Sequence, residues 1–229
     1  SRSVNDIFRE NLPVSFQLGL AALAVALAIG MPMGIIAALK PNTLYDYMGM
    51  GVAILGVSVP VIISAPLLRY LFGVQYKVLP VTGWGTVQNA ILPALALGFV
   101  NAALIARLTR ASLLQVMGED YIRTARAKGL PERVVVIFHA LKNSLIPVVT
   151  IIGPLFAALV TGTFVVETVF GIPGMGRFFV TSITGRDYTV IMGTILLYAF
   201  FLVFMNMMVD IAYAWLDPRI RYATSTSKK

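Results

Sequence analysis

An all-α integral membrane protein with five transmembrane helices is the fold class this sequence predicts, and three observations predict it. Hydrophobic residues make up 58% of the chain and charged residues only 12%, against about 45–50% and about 25% in an average soluble domain. Five apolar stretches reach the roughly 20 residues that a spanning helix needs. Seven of the 18 basic residues gather in one connection between two of those stretches. With 229 residues and apolar segments spread from Leu12 to Leu216, the chain leaves no room for a separate soluble domain. The formal charge of +8 fits orientation in a bilayer better than nucleic-acid binding, because the basic residues cluster beside apolar runs.

The elements follow in chain order. Residues 1–11, SRSVNDIFREN, lack the charged start, short apolar core and cleavage site of a secretory signal. Val4, Ile7 and Phe8 are spaced like one face of a short helix, which predicts an external interfacial lead-in. The transmembrane domain covers residues 12–217, with spans Leu12–Leu39, Tyr47–Leu68, Val87–Ala106, Leu145–Val166 and Val190–Val209. Pro13, Pro32, Pro60, Pro66, Pro93, Pro147 and Pro154 fall in four of these. Kinked spans around a cavity are expected, since neighbouring helices and waters re-satisfy the freed backbone groups. Small residues at Gly49, Gly51 and Gly153 to Gly162 permit close helix approach. Trp84 and Trp215 fit the outer and inner interfaces.

Orientation follows from the basic residues. Arg107, Arg110, Arg123, Arg126, Lys128, Arg133 and Lys142 flank or fill the third connection, and the positive-inside rule places it in the cytoplasm. Alternation then puts 40–46 and the tail 218–229 inside, and 72–86 and 170–189 outside. Twelve basic residues lie inside, including Lys40, Arg219, Arg221, Lys228 and Lys229, and six outside. The amino terminus is external on this reading, which calls for a further helix upstream of this sequence.

The cytoplasmic connection, 113–144, has local structure of its own. Glu119 and Asp120 put acids at a helix start, Lys128 puts a cation at its end, and Gly129 fits the left-handed residue beyond the last turn. These predict a helix over Glu119–Lys128. Pro131 fits the first position of a second helix, with Glu132 in its first turn. Val134, Ile137, Phe138, Leu141 and Leu145 recur at spacings of three and four, which predicts an apolar face running into the next span. On the residues alone, this folded basic loop either lies on anionic lipid headgroups or docks a cytoplasmic partner.

Within Tyr121 to Pro147, the string ARAKGLPERVVVIFHALKNSLIP, Ala125 to Pro147, resembles the cytoplasmic signature loop of ABC importer permeases in the variant of the peptide/nickel branch. The general signature begins Glu-Ala-Ala with a Gly beyond it. Here Arg123-Thr124-Ala125 precedes Arg126-Ala127-Lys128-Gly129, so the acid and first alanine depart from it. ETVFGIPGMGRFFVTSITGRDY and the ending DPRIRY resemble the B-type permease subunit for oligopeptides and dipeptides.

The resemblance implies a multi-pass permease of the bacterial inner membrane that passes short peptides inward by alternating access. Its implied partners are a second homologous permease, two cytoplasmic ATPase subunits and an external peptide-binding protein. Such permeases usually have six spans, the first one lying ahead of those seen here. The resemblance further implies that Tyr121, Arg123, Thr124, Ala125, Arg126, Ala127, Lys128, Gly129, Leu130 and Pro131 couple to an ATPase. It places the external segment 170–189 near the outer gate, with Gly171, Pro173, Gly174, Gly176, Phe178 and Phe179 as gate or path residues. Glu167 joins them as an ionisable group near membrane depth. Other cargo of the same branch, glutathione or a nickel complex, and an ion-gradient-driven secondary transporter are the alternatives.

Catalytic chemistry is not indicated. No Gly-x-x-x-x-Gly-Lys-Ser/Thr phosphate loop occurs, so ATP and its Mg ion are expected on the ATPase partners and no cofactor on this chain. No Ser/His/Asp or paired-carboxylate constellation stands out. A single His139 and no cysteine exclude a multi-His or thiolate metal site. His139 reads as a packing residue, Asp210 as a helix-end group, and Asn101, Thr150, Thr161, Thr163 and Asn206 as either a polar route or interhelical hydrogen bonds.

Overall fold

The computed structural model describes residues 4–161 and 163–216. Helix α1 (Val4–Leu39) runs unbroken through Pro13 and Pro32 for 36 residues, about 54 Å at 1.5 Å per residue. From Val4 on, the expected lead-in is therefore the start of the first span. Its Ile7 packs on Met175 and Val190 instead of lying on a lipid surface.

A ladder of small residues explains how α1 is held. Leu18, Ala22, Ala26, Gly30, Gly34 and Ala38, four apart, are all buried. They meet Ala94, Gly98, Ala102 and Ala106 of α4 (Val87–Met117), another buried row four apart. The backbones approach so closely that a Cβ on Gly34 would sit 2.5 Å from the Ala106 carbonyl oxygen, and one on Gly30 2.5 Å from that of Ala102. Gly34→Val is expected to push the two helices apart at a cost of about 1–3 kcal/mol, read as a lower thermal midpoint of the purified subunit. An unchanged midpoint would contradict this packing. Gly49 and Gly51 meet nothing within 4 Å, whereas Gly153 does pack on Met205 and Val209.

The second expected span is broken. Helices α2 (Leu44–Ser58) and α3 (Val61–Gln75) meet at 100°. Pro60 has no N–H and disfavours helical backbone in the residue before it; Val59 is accordingly extended, with φ −95° and ψ 108°. Below α4 lie α5 (Asp120–Ala127) and α6 (Glu132–Ser144), the latter bent by 45° from α7 (Ile146–Thr161). Helix α8 (Phe164–Phe170) turns by 105° into α9 (Met175–Gly185), and α10 (Tyr188–Leu216) closes the described chain. The fourth span thus ends at Thr161, short of Val166, and Glu167 belongs to a separate helix.

Helices α1, α4 and the Tyr188–Ile211 part of α10 are each long and apolar enough to cross a membrane. Among the described residues, three bent helix pairs raise that number to at most six if each is one span. The five expected spans correspond to α1, α2–α3, α4, α7 and α10. Gly162, the tail 217–229 with its basic residues, Arg2 and the Trp215 side chain lie outside what is described.

Candidate functional site

Two regions at opposite ends of α4 carry the residues singled out from the sequence. At the lower end, Glu119 is the residue before α5 and Lys128 the one after it. The helix closes as a Schellman motif: Gly129 N–H donates to Arg126 O at 2.9 Å and Leu130 N–H to Ala125 O at 3.4 Å. Gly129 takes the left-handed φ of 77° that this cap requires. Ile122 and Ala125 are buried against Ala38 of α1, Leu113 of α4, and Val135 and Ala140 of α6. Ala125 thus faces the platform, while Tyr121, Arg123, Thr124, Arg126, Ala127, Lys128, Gly129, Leu130 and Pro131 remain exposed.

Side chains fix α5 further to α6. Arg126 forks onto Glu132, Nη2 to Oε1 at 2.7 Å and Nε to Oε2 at 3.1 Å. These hydrogen bonds hold the Glu132 carboxyl below its ordinary range. Arg126 is therefore engaged within the loop, leaving Arg123 and Lys128 as the other exposed basic groups of α5 and its cap, with Arg133 and Lys142 exposed on α6. Asn143 Nδ2 donates to Tyr121 Oη at 2.9 Å, a second tie between the two helices.

The apolar face expected on α6 is rotated. Val135, Val136, Ala140 and Ser144 are buried, while Ile137 and Phe138 are 54% and 70% exposed. The cause is a π-helical stretch over Val135–Ala140; wider winding shifts every later side chain around the axis relative to a 3.6-residue period. Pro131 stands just before α6 rather than as its first residue. His139 Nδ1 lies 3.2 Å from the Val134 carbonyl, consistent with a packing role.

At the upper end, Glu167 is 1% exposed and meets three donors. Ser15 Oγ of α1 donates to its Oε1 at 2.8 Å and Thr163 Oγ1 to the same oxygen at 2.7 Å. The Arg177 backbone N–H donates to Oε2 at 3.2 Å. That N–H is among those that the first turn of a helix leaves unpaired, and a carboxylate suits such a terminus. Ser15 Oγ also accepts from Met175 N–H at 2.8 Å, so α1, α8 and α9 converge on one node. Gly174 and Gly176 are buried because there is no room: a Cβ on Gly174 would collide with the Glu167 carboxyl group, and one on Gly176 would sit 2.7 Å from the Phe164 nitrogen.

Other members of the segment are arranged around this node. Gly171, exposed, turns the chain at φ 62°, and Pro173 is exposed beside it. Arg69 Nη1 of α3 donates to the Val169 carbonyl at 2.7 Å near the end of α8. Phe178 is half-buried against Ile7, Met175 and Val190, and Phe179 borders a cavity of about 300 Å³ with Leu12 and Tyr198. On the next turn of α9, Ile183 is 49% exposed, and Ser182 is the buried residue there.

Most of the polar-route residues bond locally: Asn101, Thr150 and Thr161 each donate to the carbonyl four residues back, whereas Thr163 serves Glu167. Sequence reasoning missed Ser15 and Asp46. Asp46, nearly buried, receives Arg110 Nε and Nη2 at 2.6 Å each and ties α2 to α4. An acid at the start of an apolar stretch was a signal available for it. For Ser15, a lone hydroxyl in an apolar helix, there was none specific enough. Among the described residues no group of three or more His, Cys, Asp or Glu could hold a metal ion.

Comparison with known proteins agrees with the motifs. Residues 30–222 match the family described as binding-protein-dependent transport system inner membrane component. The chain is 48% identical over 221 residues to the dipeptide transport system permease protein DppB of Bacillus subtilis, covering 96% of this chain and 72% of that protein. It is 44% identical over 222 residues to the oligopeptide transport system permease protein OppB of Escherichia coli, with the same coverage. Among solved structures, an inward-facing methionine ABC transporter, MetNI, superposes with a TM-score of 0.75 over 95% of this chain and 99% of that one, at 18% identity. An amino acid ABC transporter with histidines gives 0.68 over 90% and 92%, at 14% identity. At such identities these two likenesses concern the fold.

Proposed function

The chain belongs to the family of binding-protein-dependent transport system inner membrane components, and from that premise we propose that it is the membrane-spanning permease subunit of an ATP-driven importer of short peptides. Its partners on this reading are a second homologous permease, two cytoplasmic ATPase subunits that carry ATP and Mg, and an external peptide-binding protein. The assembly sits in the bacterial inner membrane. The observation that carries the reading is α5: a short helix with an exposed basic face, whose other side is packed into α1, α4 and α6 at once.

That packing supports a specific transmission. Closure of the ATPases around bound nucleotide moves α5, and the buried contacts of Ile122 and Ala125 pass the movement into Ala38, Leu113, Val135 and Ala140 together. The lower ends of α1 and α4 move as one block with the loop, rather than α6 alone acting as a lever on α7, from which it is bent by 45°. Because the α1–α4 ladder is continuous, the same block reaches Ser15 and, through Glu167, the segment α8–α9. That segment serves as the outer gate, with Gly171, Pro173, Gly174, Gly176, Phe178 and Phe179 around the Glu167 node.

Reconstitution tests the reading. The purified assembly in proteoliposomes, with ATP on the ATPase side and the binding protein on the other, is expected to accumulate labelled dipeptide or oligopeptide. Uptake should persist after ionophores collapse ion gradients. Gradient-driven uptake without ATP would reject the ATP-driven reading, and uptake of glutathione or a nickel complex in place of peptide would reject the peptide assignment.

A further inference from the structure

The break between α2 and α3 lies at mid-depth of the apolar layer. A Cβ on Gly56, one turn before it, would sit 3.1 Å from the Phe99 ring and 3.6 Å from Ala103. Phe99 falls near the middle of the uncharged run 87–106 of α4, about 30 Å long and thus the depth of a hydrocarbon core. Pro60 has no N–H to return to the Gly56 carbonyl. Helix α3 starts its own ladder with the N–H groups of Ile63 and Ser64 on the Pro60 carbonyl, at 2.9 and 3.1 Å. Among the described residues no backbone donor is paired with the carbonyls of Gly56, Val57 or Ser58, and Val57–Pro60 are exposed.

Exposed unpaired backbone is not tolerated against lipid; at membrane depth it occurs only inside protein or facing a water-filled cavity. Such interruptions at the midplane are where transporters bring backbone groups to their cargo. The inner side of this elbow borders a cavity of about 490 Å³ with Val52, Leu55, Leu67, Leu95 and Phe99 among its walls. Ser64 also lines it, and its Oγ is buried with no hydrogen-bond partner. Of Gly56, Val57 and Ser58, Gly56 is the one that also lines the cavity; apolar walls beside its unpaired carbonyl and the unpartnered Ser64 hydroxyl match a peptide main chain carrying varied side chains.

We propose that the α2–α3 elbow is a mid-membrane contact site for the main chain of the cargo. The free carbonyls ending α2 accept peptide N–H groups, Ser64 donates to a peptide carbonyl, and the apolar walls receive side chains of any sequence. This rests on the peptide-import reading.

The chain has no cysteine, so a single Val59→Cys in the complete importer, with cysteine-free partners in nanodiscs, reports its surroundings. A water-soluble, membrane-impermeant methanethiosulfonate is expected to label the introduced thiol, and labelling should slow several-fold when the importer turns over with trialanine-loaded rather than empty binding protein. Ser64→Ala is expected to raise the KM for trialanine uptake roughly threefold to tenfold. Labelling only by a lipid-soluble maleimide, cross-linking of the introduced thiol to the second permease chain, or labelling that trialanine does not slow would each overturn the site. Wild-type proteoliposomes that import trialanine while the Val59→Cys variant gains no protection would refute the elbow alone, whereas failure of wild-type import would refute the peptide reading beneath it.

Discussion

Glu167→Ala is expected to destabilise the assembled subunit by roughly 3 kcal/mol and to remove most uptake. The carboxylate is the acceptor for Ser15, Thr163 and the Arg177 N–H in a site 1% exposed. Each buried donor left without a partner costs about 1–3 kcal/mol, partly offset where water enters the vacated space. Gly174→Ala attacks the same node from the other side, since its new Cβ would collide with the carboxyl group. Overpacking of that kind costs about 1–3 kcal/mol. The two substitutions touch one another, so their effects should not add. The double variant Glu167→Ala/Gly174→Ala should lose less than the sum, because the collision disappears with the carboxylate. Thermal midpoints of the four proteins in detergent check this, and strictly additive losses would mean that Gly174 is small for another reason.

Gly129→Asp is expected to act almost entirely on function. Nothing lies within 4 Å of a Cβ at this position, and the only local penalty is the φ of 77°, about 1 kcal/mol for a residue with a Cβ. That is too little to remove the subunit from the membrane. An acid beside Lys128 on the outward face should nevertheless weaken recovery of the ATPases with this subunit on the order of tenfold, equivalent to about 1.4 kcal/mol, with uptake falling in parallel. Gly129→Asn separates the two causes, because Asn adopts left-handed backbone more readily and adds no charge. It should retain more ATPase than Asp does. Equal losses in both would point to backbone strain, and no loss in either would return the loop to a lipid-surface role.

The parts of this protein legible in its sequence are those whose causes are local. Helix α5, its cap at Gly129 and the helix after Pro131 depend on residues within a few positions of each other, and the sequence places them to within about one residue. The face of α6 is not legible, because a 3.6-residue period read through Val135–Ala140 does not register the wider π winding. Pro60 announces a kink, but the turn of 100° depends on where α3 finds packing against α4 and α8. Glu167 stands out as an unusual acid, yet its role is set by Ser15, 152 residues away, and by the space left at Gly174. Likewise Ile7 looks like half of an interfacial helix until Met175 and Val190 are brought against it.

The central claim, that α5 is the surface on which an ATPase pushes, is tested most directly by proximity in the intact importer. Thr124 lies on the exposed face of α5, and the absence of native cysteine makes Thr124→Cys the sole attachment point on this chain for a photoreactive maleimide. Illumination of the assembled, cysteine-free-partner complex should join this subunit to an ATPase subunit as the main product, with a yield that changes between nucleotide-free and ATP-bound states. A probe that reacts only with phospholipid, or with water alone in both states, would contradict the account.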